Sequence, residues 1–130
     1  HLALSLQGSR SWQAVLQAYG SGAVIAGSSA GAMVLCSDYF DPAGNEVNPG
    51  LGLLARTCVI PHHETVGRRW VPVLQHARPD SLLMGIDEET GALTRGAQNH
   101  WQVYGNGQVT LYREGQVAVF GPGQTFRLNG

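Results

Sequence analysis

Three short stretches of this chain carry residue types suited to acyl transfer: Gly27-Ser28-Ser29-Ala30-Gly31, Pro61-His62-His63 and Asp87-Glu88. A serine hydroxyl is a weak nucleophile until a base takes its proton, and the base works best when an acid orients it. The first stretch fits Gly-x-Ser-x-Gly, the spacing of a nucleophile elbow, in which a sharp strand-to-helix turn lifts the serine oxygen clear of the backbone. The chain doubles back there, so small residues are wanted two before and two after the serine, and Gly27 and Gly31 fill those places around Ser29. Ser28 is displaced by one residue and loses that spacing. A helix beginning after the turn leaves its first amides unpaired, which makes the Ala30 N–H the expected donor to an oxyanion. The plain alternative is a small-residue turn that merely allows close helix packing.

Five histidines are available as bases: His1, His62, His63, His76 and His100. His62 and His63 follow directly on a predicted strand at 57–61, and catalytic groups of open α/β sheets gather beyond the carboxyl ends of strands. His76 falls inside a predicted helix and His100 beside an antiparallel strand, where surface or packing roles are the default. Asp87 and Glu88 follow an apolar run at 82–86, again at a strand end, and either suits the acid. Their plain reading is a solvated turn capped by its own side chains. Arg68 and Arg69 stand near the histidine pair and are candidates to hold a substrate carboxylate, against the alternative of a solvated helix start. Cys36 and Cys58 have no metal-ligand or disulfide spacing and sit among apolar neighbours, so both are expected reduced and in the core. No metal and no cofactor is expected.

The elements that must position these groups follow from periodicity. Trp12, Val15, Leu16 and Tyr19 have helical spacing over 11–19, with Ser9 or Ser11 as cap. Residues 2–6 fit strand or helix equally. The apolar run 23–26 has the character of a doubly buried strand, and 30–36 resumes as a small-residue helix. The Pro-, Gly- and Asn-rich stretch 38–52 is expected to be a surface loop. A strand at 57–61, a helix over 68–77 and a strand at 82–86 come next. From 92 onward, short alternating runs divided by Gly105-Asn106-Gly107, Glu114-Gly115 and Gly121-Pro122-Gly123 predict antiparallel hairpins. The expected fold is an α/β layered mixed sheet flanked by helices.

With 130 residues and 43% hydrophobic content, the chain suits a single domain, 1–130. A formal charge of −1 with 13% charged residues supplies no basic stripe, which argues against nucleic acid as a partner. No apolar run nears the roughly 20 residues of a membrane span, and the first residues lack a signal-peptide layout, so a cytoplasmic location without membrane attachment is expected.

Ser-Ala-Gly-Ala at 29–32, Pro-His at 61–62 and Gly-Ile-Asp-Glu-Glu-Thr at 85–90 occur in that order, and in combination the chain resembles the peptidase E and cyanophycinase family of serine peptidases. The resemblance implies a class I glutamine amidotransferase-like fold and a Ser29, His62, Glu88 triad, with Ala30 as an oxyanion donor. It favours His62 over His63, because Gly67 and Arg68 then match the Gly-Arg of cyanophycinase-like members, and it favours Glu88 over Asp87. Gly91 departs from the usual alanine. The implied activity is hydrolysis of a peptide or isopeptide bond next to an acidic residue, with a peptide substrate. Family members begin with further strands and a glycine-rich loop offering a second oxyanion donor. Nothing before His1 supplies these, so either association with an N-terminal segment or a homo-oligomer is expected. Two other readings stay in play: a non-catalytic binding or assembly module that keeps the fold, and an unrelated esterase, disfavoured because its acid usually precedes its histidine.

Overall fold

The computed structural model describes residues 1–95 and 99–128. Its centre is a four-stranded mixed sheet in the order β3 (Thr57–Ile60), β4 (Leu82–Ile86), β7 (Val109–Arg113), β8 (Gln116–Phe120). The β3–β4 pair is parallel, with Ile60 opposite Gly85, and the remaining pairs are antiparallel. A run of Thr, Cys, Val and Ile in β3 is buried at every position, as expected of a strand covered on both faces.

Alternate residues of these strands feed two cores. On one face Val59, Leu82, Met84, Val109 and Leu111 pack with Val103 and Phe126 of a second, three-stranded sheet. That sheet comprises β5 (Thr90–Thr94), β6 (His100–Gly105) and β9 (Thr125–Arg127). On the other face Cys58, Ile60 and Leu83 pack with Phe40, Val71 and Leu74. Phe40 comes from a hairpin of β1 (Asp38–Asp41) and β2 (Glu46–Pro49), while Val71 and Leu74 come from α4 (Val71–Ala77). Cys36 and Cys58 are both free and buried, and burial pushes each thiol up to about 12.

The N-terminal part is helical: α1 (Leu2–Leu6), α2 (Arg10–Gly20) and α3 (Ala30–Val34). Ser9 caps α2 by accepting the Trp12 N–H at 3.0 Å. Among the described residues no helix is long and apolar enough to cross a membrane.

Four expectations are corrected. Residues 23–26 form no strand: Val24 is 81% exposed, and the backbone of 24–27 bonds to nothing among the described residues. Apolar character alone cannot make a strand without a neighbouring edge to pair with. The stretch 38–52 is not all loop, because Phe40 is drawn under the central sheet and carries the β1–β2 hairpin with it. The helix at 68–77 begins as a 3₁₀ turn, Gly67–Trp70, before the α-helix proper starts at Val71 with Pro72 in its first turn. Finally, the strands form not a single mixed sheet but three sheets, of which the four-stranded one is mixed. Only Glu114-Gly115, with φ of 49° and 78°, makes a tight hairpin turn; the other two glycine-rich turns carry the chain from one sheet to the other.

Candidate active site

Ser29 sits where residues 23–28 turn into α3, with φ 51° and ψ −119°. A left-handed φ on a residue bearing a Cβ is costly and is held only by its surroundings. Gly27 is required for this turn, because a Cβ there would lie 2.6 Å from the Gly31 carbonyl oxygen. Gly31 is not required on steric grounds, since a Cβ on it would meet nothing within 4 Å. The carbonyls of Ser28 and Ser29 receive the N–H groups of Gly31, Ala32 and Met33, which leaves the Ala30 N–H without a partner among the described residues.

His62 follows β3 by two residues and also has a left-handed backbone, φ 50°. Its carbonyl receives three donors: the N–H of Thr65 at 3.1 Å, the N–H of Gly67 at 2.9 Å and the Thr65 hydroxyl at 3.2 Å. These bonds fix the turn. Gly67 must be glycine because a Cβ there would collide with the carbonyl of Pro61. The imidazole is thereby aimed at the elbow, with Nε2 3.3 Å from the Ser29 Oγ and Nδ1 3.1 Å from the Glu88 Oε1. Glu88 lies just beyond β4, in a turn closed by the Thr90 hydroxyl donating to the Glu88 carbonyl and the Asn106 amide donating to Glu89.

His63 points the opposite way. It is 3% exposed, with Nε2 2.6 Å from the Tyr112 hydroxyl and Nδ1 3.5 Å from the Asp87 Oδ1. Burial raises the Tyr112 hydroxyl above its ordinary range, with Arg68 opposing and Asp87 adding; in the tautomer that points Nδ1–H at the Asp87 carboxylate, Nε2 accepts from this hydroxyl. The other oxygen of Asp87 accepts the Gln108 N–H at 2.9 Å. Gly85 makes room for this ring, since a Cβ on it would collide with His63.

Ser29, His62 and Glu88 therefore come together, while His63 pairs with Asp87 and makes no hydrogen bond to the serine. A cavity of about 340 Å³ opens beside Ser29, His62 and Glu88, floored by Val59 and Ile86. Arg68 and Arg69 stand exposed on the 3₁₀ turn and do not line it. A larger cavity of about 420 Å³, near Arg56 and Arg113, lies around the opposite ends of β3 and β4 and holds none of these residues.

Two neighbours of the site have no motif in the sequence. Tyr112 lies in an ordinary alternating strand. Glu64 accepts the Glu88 N–H, with both carboxylate oxygens at 3.0 Å from the nitrogen. Its position two residues after His62 is the only signal that pointed to it. Desolvation works to raise the Glu64 carboxyl, but the Glu88 N–H, its own N–H, the Asp87 side chain and the nearby His62 hold it below the ordinary carboxylate range. Among the described residues no group of histidines, cysteines and acids is placed to hold a metal ion.

No family model matches this chain, and no curated protein matches it. Among solved structures, the crystal structure of a peptidase from an acI-B1 Actinobacterium is similar, with a TM-score of 0.72 and 29% identity over 89% of this chain. The match covers 50% of that protein, so the present chain spans about half its length.

Proposed function

We propose that this chain carries the nucleophile, base and acid of a serine-type peptidase related to the peptidase E and cyanophycinase family, on a class I glutamine amidotransferase-like fold. The observation that carries the reading is the continuous relay from the Ser29 Oγ through His62 to Glu88, at 3.3 and 3.1 Å. Both distances lie within the reach that proton transfer requires. The likeness to a peptidase of solved structure supports the same reading.

In the proposed mechanism the Ser29 hydroxyl donates to Nε2 of His62, and Nδ1–H donates to Glu88, which selects that tautomer. As Ser29 attacks the scissile carbonyl, its proton passes to His62, and Glu88 stabilises the imidazolium. The unpaired Ala30 N–H meets the oxyanion. The imidazolium then protonates the leaving amine; water attacks the acyl carbon as His62 takes its proton, and that proton passes to the Ser29 Oγ as the acyl–oxygen bond breaks and the acid leaves.

Preference for a bond next to an acidic residue rests on the resemblance. Arg68 and Arg69 would meet a substrate carboxylate only outside the cavity. The run 24–26, whose backbone has no hydrogen-bond partner among the described residues and whose Val24 is 81% exposed, supports completion of the active particle by association, with an N-terminal segment or with a second copy. Light scattering of the purified chain across concentration tests this, and a monomer at every concentration would count against a second copy.

The main test is covalent labelling by a fluorophosphonate probe, read by peptide mass mapping. Modification at Ser29 that vanishes in Ser29→Ala is the expected result. A folded protein that takes up no probe would leave a non-catalytic binding module as the better account.

A further inference from the structure

We propose that Glu64 is a positioning residue whose carboxylate grips the backbone N–H of Glu88 and thereby holds the acid against His62. This rests on reading Ser29, His62 and Glu88 as a triad. Glu88 needs such a hold. Its side chain is 55% exposed and, among the described residues, its carboxylate touches only His62. The Thr90 hydroxyl fixes its carbonyl, but the N–H faces the direction from which the histidine loop arrives.

Glu64 closes a ring. The loop 62–64 presents the base at one end and a carboxylate at the other, and both ends seize the same residue: His62 its side chain, Glu64 its backbone. Two attachments from residues two apart in the chain remove the freedom of Glu88 to slide along the strand end, which a single exposed ion pair cannot do. Desolvation at this place disfavours the charged form of Glu64 unless it is compensated. Compensation comes from the Glu88 N–H, its own N–H, the Asp87 side chain and the imidazole of His62, so the acceptor stays anionic where it is needed.

Charge and grip are separable. Glu64→Gln keeps an Oε1 acceptor for the Glu88 N–H and loses the charge, whereas Glu64→Ala loses both. The charged groups around His62 are Glu88 from the β4–β5 turn and Glu64 from its own loop, with Asp87 facing His63 behind and Arg68 exposed on the following turn. Removing one negative neighbour makes the imidazolium less favoured, so the acid limb of Ser29 labelling moves to lower pH in both variants.

The experiment measures the ¹⁵N–¹H shift of the Glu88 amide and the pH profile of fluorophosphonate labelling in the wild type and both variants. Expected are an upfield move of the Glu88 proton in Glu64→Ala, its retention in Glu64→Gln, and plateau labelling slowed about tenfold in the alanine variant, the rate equivalent of one charge-assisted hydrogen bond. Glutamine restores the plateau rate but not the acid limb. An unchanged Glu88 amide in Glu64→Ala overturns the proposal, as does equal loss of the amide shift in both variants. Should the wild type take up no probe, the peptidase reading fails, and the grip is judged on the amide shift alone.

Discussion

His62 and His63 are chain neighbours, and each faces one of two neighbouring acids, yet the two pairs live in opposite environments. His62 with Glu88 lies at the surface, 42% and 55% exposed; His63 with Asp87 lies inside, 3% and 15% exposed. The outer pair spends its hydrogen bonds on a serine and an open cavity, whereas the inner pair spends them on Tyr112 and the backbone of Gln108. An exposed ion pair contributes little to stability, and a buried polar group that loses its partner costs much. The same residue types are thus expected to divide the labour: loss of the outer pair should cost folding little, and loss of the inner pair should loosen the loop that presents it.

The sharpest way to break this division is to remove its reacting atom. Ser29→Ala abolishes probe labelling and leaves the melting temperature unchanged or slightly altered, as mass mapping and thermal unfolding will show. Next comes His62→Ala, for which labelling falls by about 10²- to 10⁴-fold, the range of a lost general base, while unfolding in urea shifts by under about 1 kcal/mol. His63→Ala should reverse this pattern: about 2–4 kcal/mol of stability is lost, because a cavity opens and the Tyr112 hydroxyl and Asp87 lose their partner, and Ser29 still labels at temperatures where the variant is folded. Equal loss of labelling in His62→Ala and His63→Ala, with equal stability, would end the distinction. A smaller effect is expected from Tyr112→Phe, about 1 kcal/mol, since the His63 ring keeps Asp87 and its packing.

The smallest effect concerns groups outside both pairs. Burial pushes the Cys36 and Cys58 thiols up from 9.0 to about 12, so the folded chain holds its thiol protons more tightly than the unfolded one. Their contribution is fully present below about pH 9 and is lost as pH rises towards 12. Both thiols should therefore resist alkylation at neutral pH, with stability declining only in the alkaline range; iodoacetamide uptake and urea titrations at stepped pH measure this.

Local pattern was enough to locate α2, β3 and β4, because cap chemistry and unbroken apolar runs are read over a few residues and need no distant partner. It was enough, too, to single out Ser29, since the glycine at 27 answers a steric demand made within the turn itself. Elsewhere the demand came from afar. Residues 23–26 have the composition of a buried strand but form none, with Val24 81% exposed and Ile25 half-buried, and Phe40 turned an expected loop into a hairpin by finding a place under the central sheet.

Which histidine meets which acid was also beyond local pattern. Extending the β3–β4 register past Ile60 and Gly85 would set His62 beside Asp87 and His63 beside Glu88. The structure crosses them, because the left-handed backbone of His62 turns that ring out to Glu88 and sends the next one inward to Asp87. Residue types and spacing offered a serine, a choice of two histidines and a choice of two acids at strand ends, and the resemblance favoured His62 and Glu88 among them. Backbone conformation and burial, which exist only once the sheet has formed, decided which of them face the serine.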